Sequence, residues 1–282
     1  MSSRLLDAAG LRLVFHGAPA GVLVSCALVS CATFAACSST DAPSATDGRT
    51  SVSDGGTPAV DATVSPTEST QSGRLITAQS TTPIPAAKVT IDGKSVTTDA
   101  EGRYRFVVPR GKPITMRGTA EDHFAFIDQE WILDTPTLDR GDTFLLSGQT
   151  GGLLGGFLSG YDKALGVLGV RIVPLAGCES EERATLTLEP AGASLRYSVG
   201  GIPSGQATSA AKGQTITAIF YNVAVNVPLK VTVKHPTCSP VPFPVEQSGV
   251  RYTGNQTAEP GDSLSFFRVY LAGAPGADAG TD

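Results

Sequence analysis

From Gly73 to Leu271 the apolar residues of this 282-residue chain come in short runs broken by turn-forming residues, a pattern that long helices cannot bury. Arg103-Tyr104-Arg105-Phe106-Val107-Val108 shows the period best. Tyr104, Phe106 and Val108 fall on one side of an extended chain and Arg103 and Arg105 on the other. Before it, Val89 and Ile91 alternate with Lys88, Thr90 and Asp92, Asp92-Gly93 is a two-residue hairpin signal, and Val96 and Thr98 continue beyond it. Pro109-Arg110-Gly111 ends the strand and Ile114-Thr115-Met116-Arg117 starts another. With runs at 124–127, 131–133 and 143–146, residues 73 to 147 predict about seven short strands at sandwich-like spacing. The 32 Gly and 19 Pro supply the turns such a fold needs, while a single Trp and 2 Met suit small β-domains better than a large catalytic core.

Gly73-Arg74-Leu75, then Pro85-Ala86-Ala87-Lys88-Val89-Thr90-Ile91, then Thr98-Asp99-Ala100-Glu101-Gly102-Arg103-Tyr104-Arg105-Phe106, occur in an order that resembles the carboxypeptidase regulatory-like domain. The most specific part is the turn and strand marked by Thr98, Asp99, Gly102, Tyr104 and Phe106. Ala86 stands where Gly commonly precedes Ala-x-Val, and Gly111-Lys112-Pro113 replaces a Gly-x-Tyr. The resemblance implies a seven-stranded, transthyretin-like β-sandwich that is non-catalytic and brings no catalytic residues with it. The turn also has a local reason: an Asp side chain bonds the backbone two residues on, and Gly tolerates positive φ where the chain reverses.

Residues 151–168 break the β rhythm. Leu153, Leu154, Phe157, Leu158, Tyr161 and Leu165 form one helical stripe, which predicts a short helix packed on a sheet, although five glycines weaken it. Strand-like runs then return at 170–173, 184–188, 195–199, 215–223, 228–234, 250–253 and 263–271, and 215–233 reads as the end of a second sandwich of the same type.

The N-terminus reads as an export signal. Arg4 and Arg12 precede an uncharged apolar stretch from Gly17 to Ala36 that contains Pro19, Gly21 and several Ser, the character of a signal peptide more than of a membrane span. The stretch holds three short apolar-small-small-Cys patterns, ending at Cys26, Cys31 and Cys37, and resembles a bacterial lipoprotein signal. Cys37 is the preferred lipidation site because the polar tract begins right after it, with Cys31 as the alternative. Cleavage before Cys37 leaves one thiol for lipid and the pair Cys178 and Cys238, which in an oxidising compartment most simply form a disulfide. Residues 38–72, with 8 Ser, 7 Thr and 4 Asp and no Leu, Ile, Phe, Tyr or Trp, read as a disordered linker, and the Ala/Gly/Asp end as a disordered tail.

The expected fold is mainly β: two tandem antiparallel β-sandwich domains of transthyretin-like type joined by a short helix, after a signal peptide and a disordered linker. The expected boundaries are 1–36 signal peptide, 37–72 lipidated Cys and linker, 73–147 first sandwich, 148–168 linker with helix, 169–272 second sandwich and 273–282 tail. A formal net charge of -5 leaves no basic field for phosphate backbones, so nucleic acid is not an expected partner.

Candidate chemistry is sparse. His123 and His235 fall in different halves, so there is no His-x-x-x-His zinc pair and no base near an obvious nucleophile. Glu121, Asp122, Asp128 and Glu130 could offer oxygen to calcium but lack the turn-forming glycines of a known loop. Arg140-Gly141-Asp142 spells an adhesion tripeptide and reads as a polar turn; Glu179, Glu181, Glu182 and Glu189 read as solvated acids. No catalytic residues, no metal and no cofactor are expected. Two readings remain: a membrane-anchored surface lipoprotein whose sandwiches bind a protein or polysaccharide or serve structurally, and a secreted enzyme or carbohydrate-binding accessory with a site between domains.

Overall fold

Alternating burial shows which side of each strand meets the core: the stretch Arg103–Pro109 runs exposed, buried, exposed, buried, as its sequence predicts. The computed structural model describes residues 67–78 and 80–273. The N-terminal half contains β1 (Glu68–Thr77), β2 (Lys88–Ile91), β3 (Lys94–Thr97), β4 (Arg103–Pro109), β5 (Pro113–Ile114), β6 (Met116–Thr119), β7 (Ala125–Ile127), β8 (Trp131–Ile132) and β9 (Thr137–Leu145). Helix α1 (Gly148–Phe157) follows. The C-terminal half contains β10 (Gly166–Pro174), β11 (Thr185–Glu189), β12 (Ser194–Val199), β13 (Ile202–Ser204), β14 (Ala218–Val223), β15 (Lys230–Lys234), β16 (Cys238–Pro240), β17 (Val245–Gln247), β18 (Val250–Tyr252) and β19 (Ser263–Gly273).

The largest sheet has ten strands and crosses from one half to the other in the order β13-β12-β14-β10-β19-β7-β6-β2-β3, with β16 added on β19. Three smaller sheets, β4-β1-β9, β17-β18-β8-β5 and β11-β15, pack around it. Most neighbours are antiparallel as expected, but β1 with β9, β10 with β19 and β19 with β7 are parallel. Two large apolar cores result. One gathers Leu168, Val170, Phe220, Val233 and Phe267; the other gathers Leu75, Val89, Phe106, Trp131 and Leu145.

The halves are interleaved. Hairpin β17-β18 lies within 169–272, yet it pairs with β8 through Tyr252 opposite Trp131, and Val245, Val250 and Tyr252 are buried in the N-terminal core. Tyr270 of β19 joins the same core, and the described residues form a single unit. Local periodicity locates strands but not the partners that cover them, so a cut between 147 and 169 passes through shared sheets.

Two further differences have local causes. β1 begins at Glu68, inside the stretch read as linker, because polar side chains find partners there. Ser69 donates to the Thr135 carbonyl at 2.5 Å, and Gln71 is fully buried. The helix starts earlier and stops sooner than the apolar stripe. Ser147 caps it by accepting the Thr150 N–H at 3.2 Å, and it ends at Phe157 before Gly160 turns at φ +75. Leu158 is buried just past the helix, and Tyr161 and Leu165 lie beyond it. Gly151 is required where it stands, since a Cβ there would come within 1.7 Å of the Phe124 ring. The export signal, Cys31, Cys37 and the tail from 274 onward lie outside the described residues.

Candidate functional site: an arginine-lined groove on the three-stranded sheet

The motif of the carboxypeptidase regulatory-like resemblance closes into one turn. Thr98 Oγ1 accepts the Ala87 N–H at 2.9 Å and donates to the Ile84 carbonyl at 2.7 Å. One oxygen of Asp99 accepts the N–H groups of Glu101 at 3.0 Å and Arg103 at 2.7 Å. Gly102 turns at φ +73 with its missing Cβ only 2.5 Å from the Leu75 carbonyl, and its own carbonyl accepts the Leu75 N–H at 2.8 Å. Tyr104 and Phe106 then enter the core, where the Tyr104 hydroxyl donates to the Met116 sulfur at 3.3 Å and burial pushes its ionisation up. These five residues build structure, and in doing so they turn Arg103 and Arg105 outward.

The outward face of β4, β1 and β9 carries a groove of about 560 Å³. Register sets two rows across it: Arg103 beside Arg74 beside Asp142, and Arg105 beside Ser72 beside Asp139. The guanidinium of Arg74 donates to both oxygens of Asp142, each at 2.8 Å. That fork holds the Asp142 carboxyl below and the Arg74 guanidinium above their ordinary values. Asp139 accepts the Gly141 N–H at 3.0 Å. At the bulge between Ser72 and Arg74 the Tyr104 hydroxyl packs against Gly73, where a Cβ would sit only 2.6 Å from its oxygen.

The other sequence candidates are committed to structure. Cys178 and Cys238 form a disulfide with Cα atoms 5.6 Å apart. His235 locks its position: Nδ1 accepts the N–H groups of Cys238 at 2.9 Å and Thr237 at 3.2 Å, so Nε2 carries the proton and donates to the Glu182 carbonyl at 2.9 Å. The ligand atoms of Cys178, His235 and Cys238 lie within 4.8 Å of one another, but the disulfide consumes both thiols and the imidazole lone pair is engaged, so this set does not fit a metal in its oxidised state. His123 bonds the Glu121 carbonyl at 2.7 Å and Thr77 at 3.0 Å. It borders a second cavity of about 360 Å³ beside α1, between Phe124 and Lys163.

The four acids considered for calcium do not converge. Asp128 is fully buried between Arg140 and Arg268, while Glu130 accepts from Thr253 at 2.7 Å and Asn255 at 2.6 Å. Burial raises the Asp128 carboxyl, but the two guanidiniums outweigh it and hold the group below its ordinary value. Arg140 and Asp142, the charged ends of the adhesion tripeptide, are both engaged in ion pairs. Glu181 accepts the Gly213 N–H at 2.6 Å and Glu189 pairs with Lys230 at 3.5 Å. The groove escaped the sequence reading because its rows span three strands; only the alternation of Arg103 and Arg105 was visible.

No protein-family model matches the chain, and no curated protein matches it. Solved structures give weak likenesses. The TIE protein of Bacillus anthracis aligns at 11% identity over 73% of this chain and 34% of its own, with a TM-score of 0.24. GBS52, the minor pilin of Streptococcus agalactiae, aligns at 11% identity over 76% of this chain and 100% of its own, TM-score 0.23. The major pilin of Streptococcus pyogenes aligns at 12% identity over 73% and 98%, TM-score 0.23. The chain spans about a third of the TIE protein. Likenesses this low carry neither fold nor function across, and the fold assignment rests on the strand pairing described above.

Proposed function

We propose that this chain is a non-catalytic cell-envelope lipoprotein, anchored through Cys37 (or Cys31) and presenting a β-sandwich binding or structural module on a Ser/Thr/Asp-rich tether. The Cys178–Cys238 disulfide carries the reading, because such bonds persist in oxidising compartments outside the cytoplasm. The turn at Thr98, Asp99 and Gly102 and the inward Tyr104 and Phe106 fit the carboxypeptidase regulatory-like resemblance, whose domains are non-catalytic. His123, His235 and Glu181 bond backbone groups, and Asp128 and Glu130 bond neighbouring side chains, which supports a module that binds without catalysing. The membrane partner is the lipid anchor's own bilayer, and the second partner is a protein or polysaccharide of the envelope, met at the outer membrane or cell surface.

The test is the intact mass of the native, membrane-extracted protein with and without reductant. The expected species starts at Cys37, carries a diacylglyceryl and an acyl group, and gains two hydrogens on reduction of its one disulfide. A chain that starts at Met1, or one with free thiols, would refute the export argument.

A further inference from the structure

In the groove on β4, β1 and β9 each carboxylate is held by at least one partner, while two guanidiniums remain available. Of its three carboxylates, Asp142 is held by both arms of the Arg74 fork, Asp99 by two backbone amides, and Asp139 by one. Arg103 and Arg105, exposed on the same face of β4, make no side-chain hydrogen bond or ion pair among the described residues. They stand two positions apart on one strand, so their Cα atoms are about 7 Å apart. A guanidinium presents its donors in a planar fork shaped to a carboxylate, and the Arg74 and Asp142 pair shows that geometry already realised in the same groove.

The floor narrows the kind of ligand. β1 is hydrogen-bonded on one side to β4 and on the other to β9, so a ligand lying over the middle of the sheet meets side chains and no open strand edge. The side chains offered there are the two guanidiniums, the hydroxyls of Ser72 and Thr97, and the apolar Val96. A volume of about 560 Å³ lies within the range of small-ligand sites.

We propose that this groove binds a carboxylate-bearing saccharide, a uronic acid unit, with its carboxylate on Arg103 and Arg105 and its hydroxyls on Ser72, Thr97 and the free oxygen of Asp139. The assignment names a ligand for the envelope module proposed above and rests on that reading for where the ligand is met. It predicts an unusual gain. Asp142→Asn releases the Arg74 fork into the groove and tightens binding severalfold.

The experiment is calorimetric titration of the full-length, detergent-extracted protein with digalacturonate, with cellobiose as the neutral probe and glycerol phosphate as the phosphate probe. Digalacturonate is expected to bind more tightly than either. The double change Arg103→Glu with Arg105→Glu is expected to weaken it by about a hundredfold or more, since each arm removes a charged hydrogen bond. Raising salt from about 0.05 M to about 0.5 M is expected to weaken it severalfold. Both arginines point away from the core, so an unchanged melting temperature shows that the double variant keeps its fold. Digalacturonate binding no tighter than cellobiose, binding unchanged in the double variant, or glycerol phosphate binding as tightly would overturn the assignment. A lipidated, disulfide-bonded protein that ignores digalacturonate overturns the groove assignment alone; an unlipidated chain that binds it overturns the envelope reading alone.

Discussion

Asp128→Asn keeps the shape of the side chain and removes a charge that two buried cations depend on. Asp128 is 0% exposed; one oxygen accepts from Arg268 at 2.7 Å and the other from Arg140, whose side chains are 17% and 8% exposed. Both guanidiniums also lie over aromatic rings, Arg140 at 4.8 Å from Trp131 and Arg268 at 4.9 Å from Tyr252. With the carboxylate gone, two cations stay in a site of low dielectric with no counter-charge. Breaking a buried ion pair in this way costs roughly 3–5 kcal/mol. A folded chain of this size loses about 2–4 °C of melting temperature per kcal/mol, so the expected drop is about 6–20 °C. Urea unfolding followed by the fluorescence of Trp131, the single tryptophan, reads the loss directly. Replacing all three charges together, Asp128→Leu with Arg140→Met and Arg268→Met, is expected to recover most of it, since no unpaired charge remains. The pH dependence has a definite sign. Because the folded carboxyl titrates below its ordinary 3.8, its contribution is present above that value and is lost as pH falls through the lowered one. The gap between the native protein and Asp128→Asn is therefore full at neutral pH and closes beneath pH 3.8. A loss below about 1 kcal/mol at neutral pH, the range of exposed pairs, would refute the reasoning.

Opening the disulfide tests the C-terminal half: Cys178→Ser with Cys238→Ser frees a loop of 60 residues' separation, and the chain-entropy relation gives a loss of about 4 kcal/mol in urea unfolding. Gly102→Ala places a Cβ 2.5 Å from the Leu75 carbonyl at φ +73 and is expected to cost roughly 1–3 kcal/mol by the same assay, whereas Gly93→Ala, with open space around it, costs less. A fragment of residues 67–147 lacks Val245, Val250, Tyr252 and Tyr270, so its amide proton spectrum is expected to show the narrow dispersion of an unfolded chain; a well-dispersed spectrum would show that this half folds alone.

What the sequence made legible follows the range of the interaction that forms it. The alternation at Arg103–Pro109 and the turn at Asp99 and Gly102 are local, and they appear in the structure as read. The runs at 184–188, 195–199 and 263–271 lie within a residue or two of strands β11, β12 and β19. The start of β1 was hidden because its burial rests on Ser69, Thr70 and Gln71, polar residues whose partners, such as the Thr135 and Pro136 carbonyls, lie far along the chain. Strands β13, β16 and β17 have three residues each, too short for a period to show. The ion cluster joins Asp128 to residues 12 and 140 positions away, a spacing that no motif marks. The groove was half legible: Arg103 and Arg105 belong to one strand, but Arg74, Ser72 and Asp139 reach it through register alone.

β19 explains why the chain did not divide where its periodicity suggested. Phe267, Val269 and Leu271 face the core of the C-terminal half, while Phe266 and Tyr270, one position out of step, meet the core of the N-terminal half. Arg268 has the parity of the second set, which is what brings its guanidinium to Asp128. A strand flanked by parallel neighbours, β10 along one edge and β7 on the other, has both faces covered, and from Phe266 to Leu271 its run is accordingly hydrophobic on both sides except for that one paired arginine. Two adjoining sandwiches, each closed on its own, would expose one face of such a strand to water. Burial of both faces instead makes the ten-stranded sheet a layer common to the two cores. The Asp128 carboxylate is the counter-charge that lets the inward Arg268 stay there, so the stability of the shared layer and that of the ion cluster are expected to fall together.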